Sequence, residues 1–250
     1  MSDDTRVDPP KKRIAVMQSN YIPWKGYFDL MNAVDEFVIY DEVQYTKNDW
    51  RNRNRIKTAH GVQWLTIPVR QERLSQRISE TELAMQTWSR KHWKTIEQAY
   101  SKAPCFDEYG AAIASLYEQA SSFRFLSEVN LHFINGLAQL IGITPKVTAS
   151  TAYPGGSDKN SRLVSIIKAA NAGIYLSGPA AKCYLDEDMF AGEGIDVCWV
   201  DYRNYPLYIQ QYPPFAHDVT ALDLLFAMGS KAKDFLKSNP DWRSLCEARQ

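Results

Sequence analysis

Residues 13 to 41 constrain this chain most, because they read as strand, tight turn, helix and strand in immediate succession. Arg13-Ile-Ala-Val-Met-Gln18 is a short apolar run with the character of a strand. Between Tyr27 and Val34 the apolar residues fall at Tyr27, Phe28, Leu30, Met31 and Val34, the spacing of one helix face. Glu36-Phe-Val-Ile-Tyr-Asp41 is β-branched and aromatic, a second strand. A strand, a helix and a strand in this order form a βαβ unit whose strands pair in parallel.

The rest of the chain repeats that rhythm. Lys146 to Ser150 reads as a strand, Ser161 to Ala170 as a helix, and Gly173 to Ser177 as a strand. Lys182 to Phe190 then reads as a helix, Ile195 to Val200 as a strand, and Ala221 to Met228 as a last helix stopped by Gly229. Two segments interrupt. Arg51 to Ile56 and Val62 to Val69 read as a hairpin turning at His60-Gly61, and Thr87 to Ile141 is helical in up to three pieces. The expected fold is α/β, a Rossmann-like, mostly parallel sheet with an inserted helical layer at about residues 80–142. Residues 1–12, charged and Pro-containing, read as a disordered leader, and residues 13–250 as a single domain.

Composition narrows the function classes. Lys plus Arg equals Asp plus Glu at 29 each, so no global field favours a nucleic acid or a membrane, and an anionic ligand needs a local cluster. Cys105, Cys183, Cys198 and Cys246 form no CxxC pair, which predicts reduced thiols and no zinc or other metal site. The N-terminus has no apolar signal core, and no run approaches the roughly 18 apolar residues of a membrane span. The expected location is the cytoplasm.

Chemistry concentrates between Gln18 and Lys57. In an open α/β sheet, ligands sit beyond the carboxyl ends of the strands. The turn after the first strand carries Gln18 and Asn20 for hydrogen bonding, Tyr21, Trp24 and Tyr27 for stacking, and Gly26 near helix N–H groups that can hold an anion. The alternative is a tight turn in which Pro23 and Gly26 are purely conformational. Asp41, at the end of the second strand, can orient a hydroxyl, serve as general base, or cap a turn; Gln44 follows it. In Trp50-Arg-Asn-Arg-Asn-Arg-Ile-Lys57, strand alternation puts Arg51, Arg53 and Arg55 on one face and Asn52 and Asn54 on the other. Such a face suits a diphosphate, with a tRNA backbone or internal pairing to Asp41, Glu42 and Asp49 as alternatives. Ser177, Gly178 and Lys182 fit a second anion cradle at a strand-to-helix turn, with Asp201 at the same mouth; the alternative is a turn glycine beside a surface lysine. His217, beside Asp218, is the one histidine suited to acid–base work.

Two resemblances follow from these residues. The pattern Gln-x-Asn-Tyr-x-Pro-Trp-x-Gly-Tyr-Phe-Asp-Leu loosely resembles the turn of nucleotidyltransferases and class I aminoacyl-tRNA synthetases. Trp24 and Tyr27 replace that turn's two histidines, so what it implies is a shared backbone arrangement with a different reaction. The blocks IAVMQSNYIPWKGYFDLM, DEFVIYDEVQYTKNDWRNRNRIKT, GVQWLTIPV, YLSGPAAKCYLDEDMF, GIDV and LDLLFAMGS resemble the WbqC-like family over nearly the whole chain after residue 12. That resemblance implies a cytoplasmic bacterial protein of O-antigen or other surface-glycan biosynthesis, working on a nucleotide-linked sugar.

Together these readings give an expected reaction: transfer of an aminoacyl or related acyl group to the amino group of a dTDP- or UDP-linked amino sugar. Arg51, Arg53 and Lys57 would hold phosphates, while Tyr21, Trp24 and Trp50 pack on a sugar or base. Asp41 would take the proton, and N–H groups near Gly26 or Gly178 would stabilise the oxyanion. No cofactor is expected to bind tightly; ATP, an aminoacyl-tRNA or an acyl thioester would serve as donor. The rival classes are another nucleotide-sugar-modifying transferase, such as a glycosyltransferase, for which Asp186-Glu-Asp188 is the only Asp-x-Asp candidate, and a non-catalytic scaffold of the glycan pathway.

Overall fold

The computed structural model describes residues 10–247. From the N-terminal side, β1 (Arg13–Met17) leads through α1 (Lys25–Asn32) to β2 (Glu36–Ile39). A hairpin of β3 (Arg53–Thr58) and β4 (Gly61–Thr66) follows, then a short pair, β5 (Val69–Arg70) with β6 (Glu82–Leu83). Three helices come next: α2 (Trp88–Tyr100), α3 (Phe106–Ala120) and α4 (Leu126–Ile141). The chain then returns through β7 (Lys146–Ala149), α5 (Lys159–Ala169), β8 (Ile174–Ser177), α6 (Glu187–Gly192), β9 (Asp196–Trp199) and α7 (Ala221–Met228).

Five strands form one parallel sheet in the order β7-β2-β1-β8-β9. In order of appearance these are the third, second, first, fourth and fifth strands of the sheet, the doubly wound arrangement of a Rossmann-like fold. Strand alternation divides the core in two. Ala15, Phe37 and Ile39 face α1, the α2–α4 layer and α7, whereas Ile14, Val16 and Val38 face α5 and α6 with Leu163, Ile167 and Phe190. The inserted helical layer therefore covers the same sheet face as α1. At β2, Glu36 is fully buried and accepts from Lys12, Lys146, Thr148 and Tyr153. Burial alone would raise its pKa, but these donors hold it down to about 2.

Three expectations meet the structure differently. Of the proposed leader, residues 1–9 lie outside the described residues, while Lys11 and Lys12 pair with Asp196 and Glu36. The helix read over Lys182 to Phe190 is instead a 3-10 turn, Pro179–Cys183, followed by α6. Pro179 starts the first piece, and the Asp186 carboxylate accepts from Met189 N and begins a new helix. The thiols are not all reduced: Cys198 on β9 is bonded to Cys246, with Cα atoms 6.0 Å apart. The antiparallel bridge between Val200 and Cys246 brings them together across 48 residues, which Cys spacing does not reveal. No helix among the described residues is long and apolar enough to cross a membrane.

Candidate active site

Doubly wound sheets bind ligands where the strand order reverses, here between the carboxyl ends of β1 and β8. That position is filled by protein. Trp24 lies across Gly26, where a Cβ would collide with its ring, and meets Tyr202 and Tyr205 edge-on at 5.3 and 5.7 Å. The Tyr202 ring also lies 3.7 Å from where a Cβ on Gly178 would sit. Tyr21 is fully buried, with its hydroxyl 2.7 Å from the Tyr117 hydroxyl and 2.8 Å from His92 Nδ1. Burial pushes the His92 pKa down to about 4. The Tyr27 hydroxyl donates to Gln18 O at 3.1 Å. Ile22 is held in the left-handed region at φ 35°, unusual for a β-branched residue. Asn54 Nδ2 fixes it by donating to both Tyr21 O and Ile22 O at 3.0 Å.

Asp41 closes this packed turn. It is 6% exposed, and its two carboxylate oxygens accept from Ser19 N at 2.8 Å and Ser19 Oγ at 2.7 Å. Asn130 Nδ2 donates to Ser19 Oγ and to Arg51 O, and Arg51 reaches Asn20 Oδ1 and Asp49. The first turn, Asp41 and Arg51 are thus one hydrogen-bonded network.

The other expected residues diverge from it. Arg53 lies over the Trp64 ring at 4.2 Å, and Trp50 packs against the same ring at 5.4 Å on the outer face of the hairpin. Asn52 Nδ2 donates inward to Ile67 O at 2.8 Å, and Gln44 is exposed beside Arg77. Lys57 is 2% exposed, its ammonium donating to Pro214 O at 2.5 Å. His217 stacks edge-on against Phe215 at 4.7 Å, its pKa lowered by burial and by nearby Lys25. On the β8–β9 half, Ser177 is buried, Lys182 pairs with Glu247 at 2.6 Å, and Asp201 accepts from Arg203, which holds its pKa down to about 2.

The open part of this edge lies one strand over, beyond β2 and β7. A cavity of 320 Å³ lined by Asp41, Ser127, Asn135 and Ser150 adjoins one of 590 Å³ lined by Tyr40, Gly155, Lys159 and Arg162. Glu42 and Thr151 line both. Glu42 Oε2 accepts from Arg162 Nη2 at 2.7 Å and from Ser150 Oγ at 2.6 Å. Partial burial would raise its pKa, but the Ser150 hydroxyl and the Arg162 guanidinium bring it below the ordinary value. Arg162 is itself 8% exposed and also donates to Ser150 O and Tyr153 O. Glu42 lines both cavities, and its Oε1 makes no hydrogen bond among the described residues. The cleft therefore joins an ionised carboxylate with one free oxygen to two cationic side chains, Lys159 and Arg162.

From the sequence Glu42 was named only as a possible partner of the Arg51–Arg55 run, and Ser150, Lys159 and Arg162 were not singled out as site residues. The strand end at Ser150 and the Tyr-Pro-Gly-Gly-Ser loop after it were the available signals. The Glu42–Arg162 pairing spans 120 residues and left none.

The profile of the WbqC-like protein family matches residues 18–235, from the first turn to beyond α7. The chain belongs to this family. A WbqC-like chain of this kind is 43% identical over 227 residues to the uncharacterized protein Rv1507c of Mycobacterium tuberculosis, covering 90% of this chain and 98% of that relative. No solved structure matches this WbqC-like chain.

Proposed function

We propose that this WbqC-like protein is an amide-forming transferase, placing an acyl or aminoacyl group on the amino group of a nucleotide-linked amino sugar for bacterial surface glycans. The observation that carries this reading is Glu42 Oε1, an unengaged carboxylate oxygen at the junction of two adjoining cavities. Lys159 on one side suits the diphosphate of a dTDP- or UDP-sugar, since an ammonium pairs well with phosphate, while Arg162, its terminal N–H groups given to Glu42, Ser150 O, Tyr153 O and Pro154 O, holds the Glu42 carboxylate in place. Glu42 suits the acceptor amine. The amine nitrogen attacks the donor carbonyl carbon, the C–N bond forms, and the bond to the donor's leaving oxygen or sulfur breaks. The proton of the attacking amine passes through Glu42 to the leaving group, the role first given to Asp41. The donor is an activated amino acid, an aminoacyl-tRNA or a thioester.

The test is mass spectrometry of dTDP- and UDP-amino sugars incubated with purified protein and each donor class. A product heavier by one acyl group is expected, formed at least about 100-fold more slowly by Glu42→Gln, the usual scale for losing a general base. Unmodified sugars with every donor would sink the reading. One observation favours a second reading, a binding role in glycan assembly: both oxygens of Asp41 are already engaged by Ser19. Tight nucleotide-sugar binding without turnover would select it.

A further inference from the structure

Residues 43–77 hold eight Lys and Arg against two acids, Asp49 and Glu72, in a chain with 29 of each overall. Positive charge is therefore concentrated on the β3–β4 hairpin and the loops on either side of it, the local cluster that a polyanion requires when the net charge is zero. Part of that charge is already balanced. Arg51 pairs with Asp49, Arg55 with Asp218, Arg70 with Glu82 and Arg73 with Glu80, and Lys57 is buried on Pro214 O. Lys47, Arg53 and Arg77 form no ion pair among the described residues, and Lys47 and Arg77 are exposed.

Aromatic rings distinguish this patch from a merely solvated basic surface. The hairpin register places Arg55 opposite Trp64 and Arg53 opposite Thr66, so these side chains share the outer face, while Asn54, Ile56 and Leu65 are buried on the other. Trp50 joins them from the loop before β3, 5.4 Å from Trp64. Trp64 is 41% exposed and Trp50 37%. Arg53 lies over Trp64 at 4.2 Å, and Arg55 sits 5.1 Å from the Trp64 ring centre and 5.6 Å from that of Trp50. Four planar groups, two of them cationic, thus stand together at the surface. Bases stack on indole rings and on guanidinium planes alike, and phosphates pair with the cationic groups beside them. A duplex hides its base faces and would meet only the charge.

The segment from Glu42 to Trp50 joins this face to the cleft. Residues 76–79 run beside it, with Tyr45 N donating to Gln76 O at 2.8 Å and Ser79 N to Asp41 O at 3.0 Å. Ser79 lines the 320 Å³ cavity, and Arg77 is near enough to Glu42 to help lower its pKa. We propose that the outer face of the β3–β4 hairpin binds single-stranded RNA, the acceptor end of a tRNA whose acyl ester then reaches Glu42. This deepens the reading above by naming the donor as aminoacyl-tRNA, and rests on that reading for the donor role alone; RNA binding does not depend on it.

Fluorescence anisotropy of the full chain tests it, with a labelled single-stranded RNA of about 12 nucleotides and with a tRNA acceptor-stem duplex whose single-stranded 3′ end is intact or trimmed blunt. The single strand and the intact stem are expected to bind, and the blunt duplex at least about tenfold more weakly. Raising the salt from about 50 to about 200 mM is expected to weaken single-strand binding roughly 20-fold, the effect of about three neutralised phosphates. Trp64→Ala is expected to cost about tenfold with the salt dependence kept, the loss of one stacked base. Lys47→Ala and Arg77→Ala change exposed side chains and keep the fold; each is expected to weaken binding and make the salt dependence shallower. Lys168→Ala, which removes an exposed cation on α5, is expected to bind as the parent does. The proposal is overturned if no single-stranded RNA binds, if the blunt duplex binds equally well, if binding ignores salt, or if Trp64→Ala, Lys47→Ala and Arg77→Ala all bind like the parent. RNA binding with amino sugars left unmodified by every donor would overturn the transferase reading and leave this site standing. Product formed from a thioester by a protein that binds no RNA would do the reverse.

Discussion

The turn after β1 and the crossing after β2 end at the same edge of one sheet, and both gather acids, amides and aromatic rings. They differ in what those groups face. After β1, Tyr21, Trp24 and Tyr27 point into protein, and Asn54 and Ser19 meet partners at ordinary hydrogen-bond distances. After β2, Glu42 keeps one oxygen unengaged over connected open space. Polar density thus marks both a structural knot and a site, and access separates them.

The comparison can be broken most directly at Tyr21. Truncation to Ala removes a fully buried ring and leaves a cavity, a loss of about 4 kcal/mol by urea denaturation. A loss below about 1 kcal/mol would mean that the turn is not the packed element described. Next in size is His92. Its folded pKa of about 4 lies below the usual 6.5, so the unfolded chain binds the extra proton first. Its contribution is complete above pH 6.5 and fades as pH falls towards 4, by at most about 3 kcal/mol. His92→Phe should flatten that part of the stability–pH curve; an unchanged acid limb would place the titration elsewhere. Smallest in stability is Glu42→Gln, expected within about 1 kcal/mol because its ion pair is partly solvated. Nucleotide amino sugar affinity should nevertheless fall in that variant, measured by calorimetry. If stability drops sharply while affinity holds, Glu42 belongs with the knot.

The fold was legible because its signals are local. The short continuous apolar runs of β1 and β2, the helical spacing from Tyr27 and the stop at Gly229 each require only a few neighbours. The hairpin was legible for the same reason, as was the split between its Arg and Asn residues. The candidate site was only partly so. Asp41 stands at a strand end as its position in the sequence suggested, but whether Tyr21 stacks on a ligand or pairs with Tyr117 depends on a helix that begins 85 residues later. Lys57 looked like a phosphate ligand because its charge is visible in sequence, whereas Pro214 O, which holds it, is not. Charge type is written locally; direction is set by distant packing.

Ile22 and Asn54 carry a consequence for how this sequence can change. A β-branched residue with positive φ costs on the order of 1–3 kcal/mol unless its surroundings over-determine it, and Asn54 makes both carbonyl contacts there. Loss of the Asn54 amide while Ile22 remains exposes the full penalty, whereas a glycine at position 22 first would make the amide dispensable. The two sites are therefore epistatic, and the order of substitution decides which lineages remain folded. The β3–β4 hairpin cannot drift independently of the β1 turn, because one side chain writes the history of both.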